Sequence, residues 1–556
     1  MMNQNLLAAI ALLSPLVFVA TALVARFQPG IRPLLVKRLA IYSSLISITT
    51  AAVSGFFVIE NGLLETSLWG INQVGFSIRL DALSVIMFGM IALLSFIVVR
   101  FSQNYLDGDK RQGVFIGRLA ATIASVQLLV LSGNLGLLFL SWVFTSMSLH
   151  KLLVFYHERP GAIVAARKKF ILARIGDVSL LAAFVILYNQ FGTGNLEVIF
   201  ESIKSSLSAG LSIRGIEIVA VLLATSAMLK SAQFPTHGWI LEVMETPTPV
   251  SALLHAGLLN AGPFLIIRMA GIMEASHIAP ILLIAVGGFT ALFASVVFLS
   301  QTSVKTALAY SSIAHMGFSL LVSGLGVYSA AMLHLVAHSF YKAHSFLSSG
   351  SVIDMIRASK VNSAQRVGSP FRIALGILMA LGLYTAFAFA WGIDPEKELS
   401  LLAIGAVITM GLSRLFTSAL DSNGSVKLML RSVLLPVIVI AAFFSLESGM
   451  HFLISTQVPE LVRPNFTEII VMSVLLVAFA TVVFIQIIAP KMADSPFYRA
   501  MAIHLRNGLY VNTVFDRTVR ALYSHESENK AIEIESADYE KKQDWVDVNP
   551  LEKQLA

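Results

Sequence analysis

The stretch EIVAVLLATSAMLKSAQFPTHGW (residues 217–239) joins a long apolar run to a lysine and then to a proline. Lys230 ends the apolar run, and Pro235 follows five residues later, where its missing N–H leaves a backbone carbonyl free. A charged side chain at the bilayer centre costs about 2.5–3.5 kcal/mol on insertion scales, so a lysine at this depth indicates a function. The alternative is a lysine that extends its ammonium from the helix end to the membrane surface.

The composition extends the membrane interpretation to the whole chain. Of 556 residues, 56% are hydrophobic and only 13% are charged, about half the charged fraction of a soluble domain. Cysteine is absent, which excludes disulfide scaffolds, thiolate zinc sites, iron–sulfur ligation and thiol nucleophiles. The net charge of +7 is modest and favours basic cytoplasmic loops over contact with nucleic acid.

Apolar segments of helical length recur along the chain and predict an all-α integral membrane protein with about fifteen transmembrane helices. They lie at about 6–26, 37–59, 82–100, 117–132, 134–156, 170–190, 213–234, 248–271, 278–300, 304–325, 328–353, 372–392, 399–420, 430–450 and 467–489. The first segment is predicted to be a retained helix and not a signal peptide, because its basic residues follow the apolar run.

The charges of the loops predict the topology. Loops after odd-numbered segments are basic, and the loops between them are poor in basic residues. The basic loops contain Arg26, Arg32, Lys37, Arg38, Arg100, Lys110, Arg111, Arg118, Arg159, Arg167, Lys168, Lys169, Arg357, Lys360, Arg366, Arg372, Lys427 and Arg431. The positive-inside rule then predicts an N-terminus outside the cell and a C-terminus in the cytoplasm.

Four regions are predicted along the chain. Residues 1–110 form N-terminal transmembrane helices, and residues 111–425 form a core with two inverted repeats. Residues 426–490 form C-terminal transmembrane helices, and residues 491–556 form a cytoplasmic amphipathic segment and polar tail. The two halves of the core resemble each other loosely, and paired interrupted helices are how inverted-repeat transporters build a site at the membrane midplane.

Histidines lie inside several of the apolar segments. His255 lies between two proline-marked irregularities, although a lone histidine on an apolar face is usually a packing residue. His334, His338 and Lys342 recur every four residues and share one helix face, whereas His344 points elsewhere. Two histidines at this spacing can bind zinc, but the absence of an accompanying carboxylate or cysteine and the nearby lysine favour a proton relay.

Three further charges fall within or near the apolar segments. Lys305 is either buried or close to the membrane surface. Arg174 and Asp177 are three residues apart and can pair along one helix, as a structural or a functional ion pair. The chain contains no Walker A loop, dinucleotide-binding glycine motif, nucleophile elbow or HExxH motif, so we predict that it is not an enzyme.

Four segments resemble the signatures of a known family, the antiporter-like subunits of respiratory complex I and of Mrp-type cation/proton antiporters. They are KSAQFPTHGWILEVMETPTPVSALLHAG (230–257), SQTSVKTALAYSSIAHMGF (300–318), LHLVAHSFYKAHSFLSSGSV (333–352) and ARIGDVSLL (173–181). The likeness is collinear over roughly residues 75–420 and is closest to the chain-5 type. It implies two inverted five-helix repeats, each with a broken helix, around a chain of Lys, His and Glu that conducts protons.

The resemblance assigns roles to particular residues. Proton-path roles fall on Lys230, His255, Lys305, His334, His338 and Lys342, with Asp177 and its neighbour Arg174 as supporting charges. The prolines expected at the broken helix are Pro235, Pro247 and Pro249.

Two departures from the family pattern change the expected function. The family's fifth span carries a Trp-Glu pair, whereas Trp142 is followed here by Val143. The family's pumping subunits place a lysine in a broken twelfth span, where ungapped comparison puts Gly392, and Lys397 is reached only by a shift of five residues. The sequence also ends soon after the fifteenth span, without the long lateral helix of the chain-5 subunit.

With these departures, the sequence is similar to the membrane subunits of DAB-type inorganic carbon accumulation complexes. That likeness implies a bacterial inner-membrane protein that conducts ions, without a cofactor of its own. Its partner is then a cytoplasmic zinc protein that resembles a β-carbonic anhydrase. The alternatives are a proton-pumping subunit of a complex I-like or hydrogenase assembly and an Mrp-type Na+/H+ antiporter subunit. The sequence leaves open whether the ion is H+ or Na+ and whether CO2 or bicarbonate is taken up.

Overall fold

The computed structural model describes residues 4–156, 158–243, 246–351, 370–421, 426–492, 494–519 and 521. Residues up to Leu509 form one compact unit, and everything described below lies within it. The predicted basic residues Arg357, Lys360 and Arg366 and the polar tail after residue 521 lie outside the described residues. The domain boundaries at 110, 425 and 490 stay a prediction.

The chain is almost entirely helical, as the recurring apolar segments predict. The helices are α1 (Gln4–Ala9), α2 (Leu13–Val24), α3 (Leu34–Asn61), α4 (Ala82–Tyr105), α5 (Gln112–Val130), α6 (Leu135–Leu153), α7 (Pro160–Phe191), α8 (Leu196–Ser208), α9 (Ile216–Lys230), α10 (Trp239–Glu242), α11 (Thr248–Ala256), α12 (Ala261–Arg268), α13 (Ala270–Glu274), α14 (Ile278–Ser300), α15 (Val304–Gly324), α16 (Tyr328–Leu347), α17 (Pro370–Trp391), α18 (Leu399–Asp421), α19 (Val426–Ile454), α20 (Phe466–Met492) and α21 (Pro496–Arg506).

Twelve spans within the described residues are long and apolar enough to cross a membrane, so the protein is a multi-span integral membrane protein. The other three predicted segments are helical too and correspond to α9, α16 and α18. Polar side chains such as His334 and Lys342 lower the hydropathy of α16, and α9 is short because the chain breaks after Lys230.

Contacts between loops divide the connections into two faces. Loops after odd-numbered segments meet each other: Lys37 pairs with Asp107 at 2.9 Å, and the Tyr156 hydroxyl donates to Asp109 at 3.0 Å. Loops after even-numbered segments also meet, because Glu217 accepts hydrogen bonds from Ser276 and from the His277 backbone. We call the side with the loops after odd-numbered segments the odd-loop face and the opposite side the even-loop face. These contacts agree with the predicted alternation of the loops, while the assignment of the odd-loop face to the cytoplasm stays a prediction.

Two interruptions shape the core. After α9, residues 231–235 leave the helix, a 3-10 turn covers Thr236–Gly238, and α10 resumes the course. The predicted span at 248–271 is also interrupted, by a 3-10 turn at Leu258–Asn260 between α11 and α12. The resemblance placed the second broken helix in span twelve, but α17 is continuous there, so the second described interruption lies in span eight instead.

The connection before α4 contains short strands that the sequence analysis did not predict. Strand β1 (Leu64–Glu65) pairs antiparallel with β4 (Arg79–Leu80), and β2 (Trp69–Ile71) pairs antiparallel with β3 (Val74–Phe76). Helix α8, which follows α7 on the same even-loop face, was also not predicted, and the Asn195 side chain caps its first turn.

A buried ion cluster holds these connections together. Arg79 pairs with Glu65 at 3.1 Å, with Asp81 at 2.8 Å and with Glu197 at 2.6 Å, and Arg268 at the end of α12 pairs with Asp81 at 2.5 Å. Burial alone would raise the pKa of Asp81, but Arg268 and Arg79 hold it below its ordinary value. The cluster therefore joins the ends of four segments at the even-loop face.

Candidate ion pathway

Lys230 lies at the last residue of α9, where the helix is interrupted. Its ammonium donates to the Trp142 carbonyl at 3.0 Å and to the Ser146 hydroxyl at 2.6 Å, both on α6. The same ammonium lies 4.3 Å from the centre of the Trp142 ring, within range of a cation–π interaction. Lys230 is thus directed inward toward neutral groups of span five and does not extend to the membrane surface.

Other charged groups surround this lysine. Lys169 on α7 is buried and donates to the Ser146 carbonyl at 2.6 Å. Further along α7, Arg174 pairs with the buried Asp177 at 2.6 Å, and the charges of Lys230 and Lys169 also act on Asp177. We call Lys230, Trp142, Ser146, Lys169, Arg174 and Asp177 the first site. A cavity of about 10 Å³ beside Lys230 has room for about one water molecule.

Lys342 on α16 is fully buried and has a similar pair of acceptors on a neighbouring helix. Its ammonium donates to the Ser311 hydroxyl at 2.7 Å and to the Leu308 carbonyl at 3.3 Å, both on α15. The histidines that the spacing placed on one face of α16 do share it, because the His334 and His338 rings are stacked at 5.9 Å.

The antiparallel register of α15 and α16 adds a third imidazole. One turn beyond the contact of Lys342 with Ser311, His338 lies against His315, with ring centres 5.0 Å apart. His334 lies 5.2 Å from the same ring. We call Lys342, Ser311, His315, His334 and His338 the second site. The Nε2 of His334 and both ring nitrogens of His338 have no hydrogen-bond partner among the described residues, so a bridging water is needed for a proton to pass between these imidazoles.

His255 and Asn260 connect span eight to the second site. His255 is fully buried on α11, its ring is stacked at 4.2 Å on Phe346 of α16, and the charge of Lys342 acts on it. Neither of its ring nitrogens has a hydrogen-bond partner among the described residues. Asn260, in the interruption between α11 and α12, donates to the Ser339 hydroxyl at 2.6 Å. The interrupted span therefore contacts α16 at two levels.

Lys305 lies apart from both sites. It is the second residue of α15, next to a loop of the odd-loop face, and it is only half-buried. Its ammonium lies 3.4 Å from the Thr248 hydroxyl, between Pro247 and Pro249 at the start of α11. These two prolines therefore begin a helix, whereas Pro235 lies in the interruption after α9. Of the two positions considered for Lys305, the geometry matches the one near the surface.

The structure also locates the two departures. Val143 lies on α6 directly after Trp142 and is half-buried. Gly392 ends α17 with a φ of +92°, and Lys397 is exposed in the connection to α18. Lys397 therefore does not enter the core where a twelfth-span lysine would lie.

The sequence analysis did not single out four residues of these sites: Ser146, Asn260, Ser311 and His315. Its assignment of Lys168 and Lys169 to a basic loop is wrong, because both are buried within α7. One signal was available, because Ser311, His315 and Ser319 recur every four residues and form a polar stripe on α15. Within the described residues, no three His, Cys, Asp or Glu side chains are arranged to hold a metal ion. The donor set consists of amines, imidazoles and hydroxyls, which is suited to proton transfer.

Comparison with known proteins identifies the family. Residues 132–387 match the family described as "NADH:quinone oxidoreductase/Mrp antiporter, TM", and residues 70–116 match "NADH-Ubiquinone oxidoreductase (complex I), chain 5 N-terminus". The chain belongs to this family of antiporter-like membrane subunits.

Relatives and solved structures place the chain within this family. It is 35% identical over 455 residues to the probable inorganic carbon transporter subunit DabB2 of Halothiobacillus neapolitanus, a match that covers 81% of each chain. It is 36% identical over 298 residues to NADH-quinone oxidoreductase subunit L of Rhodobacter capsulatus, covering 51% of this chain and 41% of that relative. The fold is similar to a chain of the Mrp complex from Dietzia sp. DQ12-45-1b, with a TM-score of 0.61 and 22% identity over 93% of this chain and 59% of that chain.

Proposed function

We propose that this chain is the proton-conducting, energy-coupling membrane subunit of a two-component inorganic carbon uptake complex. The observation that carries the proposal is the match to the carbon transporter subunit of Halothiobacillus neapolitanus, which extends over 81% of both chains. The match to NADH-quinone oxidoreductase subunit L covers about half of this chain. Val143 and the exposed Lys397 support the same assignment, because both differ from the pattern expected of redox-driven pumping subunits.

In this proposal protons move inward through the two sites. Lys230 and Lys342 are each held by a carbonyl and a serine hydroxyl of a neighbouring helix, so each can gain or lose a proton without losing an ion-pair partner. His334, His315 and His338 carry the proton along the α15–α16 contact. His255 and Asn260 connect this contact to the interrupted span. Histidines favour H+ over Na+ as the conducted ion.

The energy of this flow drives a partner in the proposed complex. The partner is a cytoplasmic zinc protein that resembles a β-carbonic anhydrase and docks on the odd-loop face. Hydration of CO2 takes place on its zinc, and this chain carries no cofactor. The assembly lies in the bacterial inner membrane.

The test is uptake of labelled inorganic carbon by cells that depend on this complex. We expect Lys230→Ala and Lys342→Ala to abolish uptake while both variants still co-purify with the zinc partner. Lys204→Ala is the matched control, because Lys204 is exposed on α8, away from both sites. Normal uptake in both site variants sinks the proposal.

A redox-driven pump subunit is the second candidate, and the 36% identity to NADH-quinone oxidoreductase subunit L favours it. Affinity purification separates the two. A single large zinc protein supports carbon uptake, whereas flavin and iron–sulfur subunits support the redox assembly.

A further inference from the structure

The first site contains a half-buried lysine without a carboxylate on span five. The segment 134–156 has no Asp or Glu, and the described hydrogen bonds of Lys230 go to the neutral oxygens of Trp142 and Ser146. Neutral acceptors only partly replace the hydration that a buried ammonium loses, so a nearby negative charge stabilises its charged form. The source of that charge decides how the site changes state.

Asp177 is the acid that the fold brings to this lysine. It is buried, and its Oδ2 pairs with Arg174 at 2.6 Å. The charge of Lys230 acts on this carboxylate, and the Trp142 side chain, whose ring faces the ammonium, interacts with it as well. Arg174 is 38% exposed, whereas Asp177 is buried.

Gly176, the residue before Asp177, lines the cavity beside Lys230. A Cβ built on Gly176 would lie 3.6 Å from the Leu229 Cβ and 3.8 Å from the Ser226 hydroxyl, so α7 contacts the last turn of α9 closely. Ser226 is fully buried, its hydroxyl has no partner in the part of the chain that the structure describes, and it lines the cavity beside Lys230. A water molecule in this cavity would have a hydroxyl and an ammonium as partners.

We propose that Asp177 replaces the missing span-five acid and exchanges between Arg174 and Lys230 as the proton passes. The acid that acts on Lys230 then lies on α7 and not on α6. This inference rests on the proposed proton conduction. When Asp177 pairs with Arg174, as in the structure, Lys230 is held by neutral oxygens and releases its proton. When Asp177 turns to Lys230, the charged ammonium is stabilised.

Relocating the acid tests the inference. We expect Asp177→Asn to lower proton flux into proteoliposomes by about a hundredfold, the scale of losing a positioned proton-transfer group. Adding Val143→Glu to that variant returns an acid to span five, on the helix face of Ser146 that Lys230 already contacts, and recovers most of the flux. Val143→Gln in the same background has the shape without the charge and recovers none. Asp107→Asn is the control for an exposed aspartate.

A double-mutant cycle tests the pairing without any transport. In detergent-purified full-length chain, we expect the Tm changes of Asp177→Asn and Lys230→Gln to be non-additive, and those of Asp107→Asn and Lys230→Gln to be additive. If the wild-type chain passes no protons, the proposed function fails while the cycle still decides the pairing. Full flux in Asp177→Asn, or additive Tm changes in the first cycle, overturns the inference.

Discussion

The lysines of the two sites have nearly the same immediate partners and very different surroundings. Lys230 and Lys342 each donate to one main-chain carbonyl and one serine hydroxyl of a neighbouring helix. Around the first lie two more cations and a buried carboxylate, whereas the second continues into three imidazoles. The hydrogen-bond acceptors of each lysine are therefore alike, and the groups around them give the two lysines different roles. The first site is suited to switching charge and the second to passing protons.

The largest expected effect is at the second lysine. We expect Lys342→Gln to lower proton flux in proteoliposomes by about a hundredfold or more, because the three histidines of the second site then lose the lysine that carries the proton at their end. A pH-sensitive dye inside the vesicles measures the flux, and Lys204→Gln provides the exposed-lysine control. A variant that conducts like the wild type would show that the two lysines are not parallel parts of one path.

The next largest effect is expected at His315, the histidine that α15 contributes to the second site. We expect His315→Asn to reduce flux by about tenfold to a hundredfold, because His315 lies 5.2 Å from His334 and 5.0 Å from His338. The same measurement on His277→Asn, an exposed histidine of the even-loop face, should show no change. Equal rates for the two variants would leave the second site without a relay through α15.

A smaller effect compares the two sites directly. Each serine hydroxyl accepts from a charged donor, a contact that contributes about 1.5–3 kcal/mol. We expect Ser311→Ala to slow flux more than Ser146→Ala, because the Trp142 ring and Asp177 still act at the first site. Ser205→Ala, an exposed serine on α8, is the control. A larger effect of Ser146→Ala would indicate that the second site tolerates the loss of its serine hydroxyl better than the first.

The smallest effect is expected at Lys305. Because it is half-buried near the odd-loop face and its contact with Thr248 is a long 3.4 Å, Lys305→Gln should change flux by no more than about threefold. The same vesicle assay compares it with Lys342→Gln. A loss of flux as large as that of Lys342→Gln would show that Lys305 is an essential part of the proton path and contradict this prediction.

The sequence predicted the helical segments well because their signal is local: a run of apolar residues long enough to cross a membrane. The four-residue spacing likewise predicted that His334, His338 and Lys342 share a face. Partners on other helices, such as Ser146 for Lys230 and Ser311 for Lys342, depend on how helices pack and leave no trace in one segment.

The second interruption shows a different kind of failure. The resemblance placed it in span twelve, whereas the described break follows Gly257, where α11 ends and Asn260 turns toward Ser339. The Asn260 side-chain amide donates to the freed Ala256 carbonyl at 3.0 Å and also to Ser339 on α16, some eighty residues away in the sequence. Local propensity does not report such a partner.

The short turn between α15 and α16 makes the pathway dependent on loop length. Only Leu325, Gly326 and Val327 separate the helices, and Gly326 adopts a φ of +77°. One residue added to this turn and taken up as a new first residue of α16 would shift every later side chain by one helical position, which is a rotation of about 100° around the helix axis. Lys342, His338 and His334 would then leave their partners on α15 together. A substitution within the helices removes one contact at a time, whereas such an insertion would remove all contacts between α15 and α16 at the second site together.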